Sequence, residues 1–234
     1  MATPSTITYG LLGTLAVRSW TGYELTQQVR RSLRFVWPSS EGHLYREQKR
    51  LIELGWATVE REPAGRRTRN RFSITKAGRA ALAEWLATEP EEPHFQVEGV
   101  LRTFFGDHGT RDDLVASMQT TAELARSMLD EMLGFVDEYL EDGGPLTMLE
   151  RPMHDGAGAR DAGQLEFHGR PMFPERLHVV ALAIDVTTRL LKTLDDFFTE
   201  SSAEVAAWPN PIDRSITPAT RERLEQIRTR RPSP

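Results

Sequence analysis

Between positions 5 and 88, apolar residues fall at helical spacing three times, alternate with polar ones over two short runs, and then return to helical spacing. Ser5 or Thr6 caps a first helix reaching about Arg18, with Ile7, Leu11, Leu12 and Leu15 turned inward. Thr21, followed three residues later by Glu24, is a capping box opening a second helix, where Leu25 and Val29 face the core. Pro38 holds Trp37 extended and stops any continuation. Ser39 or Ser40 then caps a third helix running through Leu54, and Gly55 suits its left-handed end. Trp56–Glu62 and Asn70–Ile74 alternate and so predict a hairpin around Pro63, Ala64 and Gly65. Thr75 caps a fourth helix with Ala81, Leu82, Trp85 and Leu86 as its apolar stripe, and Glu89–Pro93 ends the domain.

The second half reads as helical. Val97–Phe105 forms a short apolar helix, and residues 111–141 carry Leu114, Met118, Ala125, Met128, Met132, Phe135 and Tyr139 at helical spacing. Residues 142–174, rich in glycine and with four prolines, form an irregular crossing. From Glu175 to about Thr199, Leu177, Ile184, Leu191 and Phe198 stand seven apart, with Val180, Thr187 and Leu194 in a second row. Two rows at heptad spacing suit a helix that packs lengthwise on another, and the first row is the candidate dimer interface. The expected organisation is a domain at 1–88, a helical domain at 94–200 and a tail at 201–234. The tail is Pro-rich and then basic, compatible with one short exposed helix or with disorder.

Charge divides the same way. The net −5 is the sum of a front part, residues 1–88, with 14 Lys/Arg against 7 Asp/Glu, and a remainder with 15 against 27. A basic front on an acidic body points to a polyanion met by the front alone. There is no cysteine, which excludes disulfides, thiol catalysis and cysteine metal sites. The apolar run Ile7–Val17 lacks a preceding basic residue and is broken by Thr8, Gly10, Gly13 and Thr14, unlike a signal peptide. No run reaches the roughly 20 apolar residues of a membrane span. The expectation is a cytoplasmic protein without membrane contact.

The chemistry of the front part follows from its cations. His43, Arg46 and Lys49 lie on the third helix away from Leu44, Leu51 and Ile52, while Ser39 and Ser40 at its N-terminus add phosphate donors. Gly42 permits close backbone approach. Arg66, Arg67, Arg69 and Arg71 crowd the hairpin, where arginines match a minor groove and its phosphates. A groove-entering helix followed by a cationic hairpin is the plan of a winged helix-turn-helix. The glycines at 156, 158 and 163 lack the spacing, strand and helix of a dinucleotide loop. The scattered histidines form no helix-spaced ligand pair, and no nucleophile signature is present. No metal, cofactor or catalysis is expected.

The runs L-L-G-T-L-A at 11–16, T-G-Y-E-L at 21–25, W-P-S-S-E-G-H-L-Y-R at 37–46, R-L-I-E-L-G-W-A at 50–57 and F-S-I-T-K-A-G-R at 72–79 resemble PadR-like transcriptional regulators. The acidic remainder is similar in layout to the larger, AphA-like branch with its C-terminal helical dimerisation domain. The resemblance implies a mainly α homodimer binding a pseudo-palindromic double-stranded DNA operator. It places Ser39, Gly42, His43, Tyr45, Arg46 and Lys49 on the DNA-facing helix and Arg66, Arg67 and Arg69 on the wing; Tyr23 and Ser40 complete the candidate set. Thr21, Gln48 and Glu41 depart from it: His often precedes Gly-Tyr, position 48 is usually apolar, and Glu41 sets a negative charge near the phosphates. The expected activity is a repressor released by a small hydrophobic or aromatic effector. Phe104, Phe105, Met132, Phe135 and Tyr139 are its candidate lining. An activator of the same fold, or an interaction module whose basic face binds an acidic protein, are the alternatives.

Overall fold

The computed structural model describes residues 4–64, 67–146, 166–210, 212 and 217–230. The chain divides into two units, residues 1–93 with 133–187, and 94–132 with 188–234. The boundaries fall inside both long helices.

The first unit begins with α1 (Thr6–Val17), α2 (Gly22–Leu33) and α3 (Glu41–Glu53). The capping box at Thr21 forms as the spacing predicts: the Thr21 hydroxyl accepts the Glu24 N–H at 3.3 Å, and Glu24 Oε2 accepts the Thr21 N–H at 2.8 Å. Strands β2 (Ala57–Ala64) and β3 (Arg67–Ile74) pair antiparallel from Ala57 with Ile74 to Ala64 with Arg67. The hairpin is therefore longer than alternation alone indicates. Arg67 and Arg69 belong to a strand instead of a turn, and Pro63 pairs with Thr68. Proline is tolerated because β2 is an edge strand, which can do without one donor.

A further strand, β1 (Trp20–Thr21), pairs with the other side of β3, Trp20 opposite Phe72. Two residues carry no alternation to read, so this strand exists through its tertiary partner alone. Helix α4 (Lys76–Leu86) starts at Thr75, whose hydroxyl accepts the Gly78 N–H at 3.0 Å. Trp85 stacks on Tyr9 with centroids 4.8 Å apart. Leu86 is exposed, so the apolar stripe of α4 ends at Trp85, one residue short of the expectation.

Leu11, Leu12, Leu15, Trp20, Leu25, Leu44 and Leu51 form the core of this unit. Phe173 joins them, edge-on to Trp20, from beyond the short hairpin β4 (Glu166–Phe167) and β5 (Arg170–Pro171).

Helix α5 (Glu98–Phe104) precedes α6 (Arg111–Leu140), and α7 (Leu177–Ala206) follows β5; the second unit takes α5, α6 up to Met132 and α7 from Thr188. Leu114, Met118 and Ala122 of α6 bury Phe198 and Val205 of α7. Helix α7 runs seven residues past the expected end near Thr199, because Ser201, Ser202 and Val205 continue its buried face. Arg126 forks onto Asp195 at 2.7 and 3.2 Å, and this hydrogen bonding holds the Asp195 carboxyl below the usual range. Helix α8 (Pro218–Arg228) lies in the tail. No helix among the described residues is long and apolar enough to cross a membrane.

Candidate nucleic-acid interface

Helix α3 seats one buried polar side chain among its core leucines. Ser40 supplies the cap, its hydroxyl accepting the His43 N–H at 3.3 Å, and Gly55 ends the turn at φ +70°. Leu44, Gln48 and Leu51 make the inward face. Gln48 stands where an apolar residue is usual, yet its buried amide is satisfied. Nε2 donates to the Gly22 carbonyl at 3.0 Å and to the Thr26 hydroxyl at 2.8 Å, which itself donates to Gly22. A Cβ at position 22 would come within 3.0 Å of Gln48 Oε1 and 3.2 Å of the Phe72 ring. Glycine thus lets α2 approach α3 and the wing at once. Gln48→Ala leaves a void and removes both bonds, so denaturant unfolding should show a loss of about 1–3 kcal/mol. An unchanged midpoint would mean that the network carries no stability.

Glu41, Gly42, Tyr45, Arg46 and Lys49 are exposed on the outer side of α3. Glu41 is neutralised locally by an ion pair with Arg30 of α2. His43 is half-buried, 3.6 Å from Glu47, which also accepts the Thr8 hydroxyl at 2.5 Å. Arg46 and Lys49 form no ion pair with any described residue.

Tyr23, Tyr45, Lys49, Arg69, Asn70 and Thr68 line one concave surface of about 810 Å³ between the start of α2, the flank of α3 and the wing. Glu24 also faces it. Burial raises the Glu24 pKa, but hydrogen bonds from Thr21 and the charges of Arg71 and Arg18 lower it further, so the carboxylate stays ionised as part of the cap. Arg71 is committed elsewhere: Nε donates to Glu62 at 2.6 Å and Nη1 to the Ser19 carbonyl at 3.3 Å. It braces the root of the wing. Arg67 pairs with Ala64 at the far end of the ladder, and Arg66 lies outside the described residues. Asn70 and Thr68 were missed by sequence reasoning, since nothing but the β2–β3 register turns them towards α3.

The remaining candidates are spread more widely. Leu191 and Phe198 are buried within the chain and Leu177 and Ile184 are half-buried. The open side of α7 instead carries Val179, Leu182, Val186, Leu190 and Phe197. Phe104 and Phe105 meet edge-to-face and are exposed, whereas Met132 is buried. These three belong to the second unit and Phe135 and Tyr139 to the first. There, the Arg31 guanidinium lies 5.0 Å from the Phe135 ring centroid. Burial pushes the Tyr139 hydroxyl up, against a lowering contribution from Arg31 and the Phe173 backbone.

Residues 11–84 match the model of the Transcriptional regulator PadR-like family. The chain is 21% identical over 141 residues to the negative transcriptional regulator PadR of Bacillus subtilis (strain 168), covering 59% of this chain and 78% of that one. It is 31% identical over 106 residues to the probable transcriptional regulator Rv1176c of Mycobacterium tuberculosis, 44% of this chain and 53% of that one. Bacillus subtilis PadR in complex with operator DNA superposes with a TM-score of 0.60 at 16% identity, over 86% of this chain and 99% of that one. The same protein with p-coumaric acid gives 0.56 at 17% identity, over 86% and 99%. The Vibrio cholerae virulence activator AphA gives 0.58 at 19% identity, again over 86% and 99%. At these identities the structural likeness establishes the fold.

Proposed function

We propose that this chain, whose residues 11–84 match the PadR-like family of transcriptional regulators, acts as a homodimeric repressor that binds a pseudo-palindromic operator. The observation that carries the proposal is the joint concave surface of Tyr23, Tyr45, Lys49 and Arg69. Beside it, Gly42 and Arg46 are exposed on the outer side of α3. On this reading α3 enters the major groove, where Lys49 and Arg46 reach base edges and the Ser39–Ser40 end takes a phosphate. The wing, with Arg66, Arg67 and Arg69, follows the backbone into the adjacent minor groove. His43, half-buried and 3.6 Å from Glu47, remains among the proposed DNA-facing residues of α3. The negative regulator among the relatives supports repression, and the complex of Bacillus subtilis PadR with operator DNA supports operator binding.

The effector is a small hydrophobic or aromatic molecule, a class supported by the p-coumaric acid complex of Bacillus subtilis PadR. Phe135 and Tyr139, beside Arg31 and Phe173, supply an aromatic wall with a cation at its edge. An effector acts by preferring one of two arrangements of the DNA-binding domains, since it shifts an equilibrium only by its differential affinity.

Operator binding followed by fluorescence anisotropy tests the whole reading. Helix and wing together neutralise roughly six to ten phosphates per dimer, so affinity should fall about 10³- to 10⁵-fold between 50 and 200 mM salt. An aromatic compound that raises the melting temperature should also release the operator. Affinity indifferent to salt would overturn groove docking, and stabilising compounds that leave DNA affinity unchanged would overturn effector release.

A further inference from the structure

Helix α8 is set by local chemistry: Thr217 accepts the Thr220 N–H at 3.2 Å and Pro218 occupies its first turn. Eleven residues are marginal as an isolated helix in water, yet every residue of α8 is exposed. Its faces are nevertheless sorted. Leu224 and Ile227 form an apolar stripe, 62% and 48% exposed. At about 100° per residue, Arg221 and Arg228 border one edge of that stripe and Arg223 the other, while Glu222 and Glu225 turn away. The Arg223–Glu204 ion pair, between half-exposed side chains, is a weak tether to α7.

The body of the chain has the opposite charge. Residues 89–216 hold 10 Lys/Arg against 25 Asp/Glu, and residues 217–234 hold 5 against 2. On α6, Leu124 is 61% exposed, and the exposed Glu123 and Asp130 form an acidic row about 100–120° round the helix from it. Seven helical residues span about 10.5 Å, so Arg221 and Arg228 repeat the spacing of Glu123 and Asp130. Arg126, between those two acids along the axis, is hydrogen-bonded to Asp195, which outweighs the smaller attraction of Asp130 and Glu123. Two complementary faces are thus left open on one chain.

We propose that α8 of one chain docks on this acidic face of α6 in a second copy, with Leu224 and Ile227 against Leu124, and Arg221 and Arg228 against Glu123 and Asp130. Complementary charge selects the face and the register. In a two-fold dimer the contact occurs twice, so each chain clasps the other. The inference rests on the dimer of the proposed function and names one of its surfaces.

The chain has no cysteine, so Leu124→Cys and Ile227→Cys each introduce a sole thiol. Mixed and treated with a short bismaleimide, the two full-length variants should give a crosslinked dimer well above the yield of either alone. Arg221→Glu with Arg228→Glu should weaken dimerisation at least tenfold in sedimentation equilibrium, and adding Glu123→Arg with Asp130→Arg should restore it. A dimer that neither crosslinks nor responds to charge reversal overturns the docking and leaves the dimeric reading standing. A chain monomeric at every concentration overturns both. A crosslink within one doubly substituted chain, equally efficient on dilution, overturns the exchange between copies. Lost operator affinity with unchanged dimerisation would assign the arginines to DNA and also overturn it.

Discussion

Lys49→Ala combined with Arg69→Ala should reduce specific operator affinity by two orders of magnitude or more while leaving the melting temperature nearly unchanged. Lys49 comes from α3 and Arg69 from β3, and both line the same concavity. Among the described residues neither forms an ion pair, so their loss strands no buried charge. A base-reading contact contributes about 1–3 kcal/mol, and a phosphate contact chiefly steepens the salt dependence. Lys49→Ala alone should therefore relax base preference, whereas Arg69→Ala alone should weaken all sequences alike and flatten the salt slope. Anisotropy titrations with an operator and a scrambled duplex separate the two effects. Binding by the double variant within threefold of the parent would show that DNA is read from another surface.

The second large effect concerns assembly. Val186→Asp with Leu190→Asp should give folded monomers with much weakened operator binding. These residues lie on the open side of α7 with Val179, Leu182 and Phe197, at 43–70% exposure within a single chain. Covering such a side chain contributes on the order of 1.5–3 kcal/mol, and a two-fold interface counts each residue twice. Phe198→Ala is the necessary contrast. Phe198 is buried against Leu114, Met118 and Ala122 of its own chain, so truncation should cost about 3–5 kcal/mol of folding stability whatever the oligomeric state. Analytical ultracentrifugation and thermal melts distinguish them. If the double aspartate variant stays dimeric, the open side of α7 is not the interface.

A heptad pattern identifies a helix with an apolar side without naming the partner that covers it. Leu177, Ile184, Leu191 and Phe198 stand seven apart and do line one side of a long helix. Spacing reports that a side is apolar, not whether the covering helix belongs to the same chain. Here α6 takes Phe198, and the open apolar residues lie on a neighbouring side whose pattern is diluted by Thr193 and Arg189.

Local chemistry made much of the first unit legible. The boxes and caps at Thr21, Ser40 and Thr75 and the left-handed Gly55 act through neighbours two to four residues away, so spacing alone locates the starts of α2, α3 and α4 and the end of α3. The cations of α3 and the wing, and the opposite charge of the remainder, are likewise properties of the chain itself. What needed the tertiary structure involves residues far apart in sequence. Trp20 becomes a strand because Phe72 lies opposite, and Gln48 is tolerated inside because Gly22 and Thr26 receive its amide. His43 turns to Glu47, Arg71 to Glu62, and Tyr23, Tyr45, Lys49 and Arg69 converge through the packing of α2, α3 and β3. A hydrogen bond or an ion pair needs a partner within a few ångströms, and only the folded chain decides which residue that is.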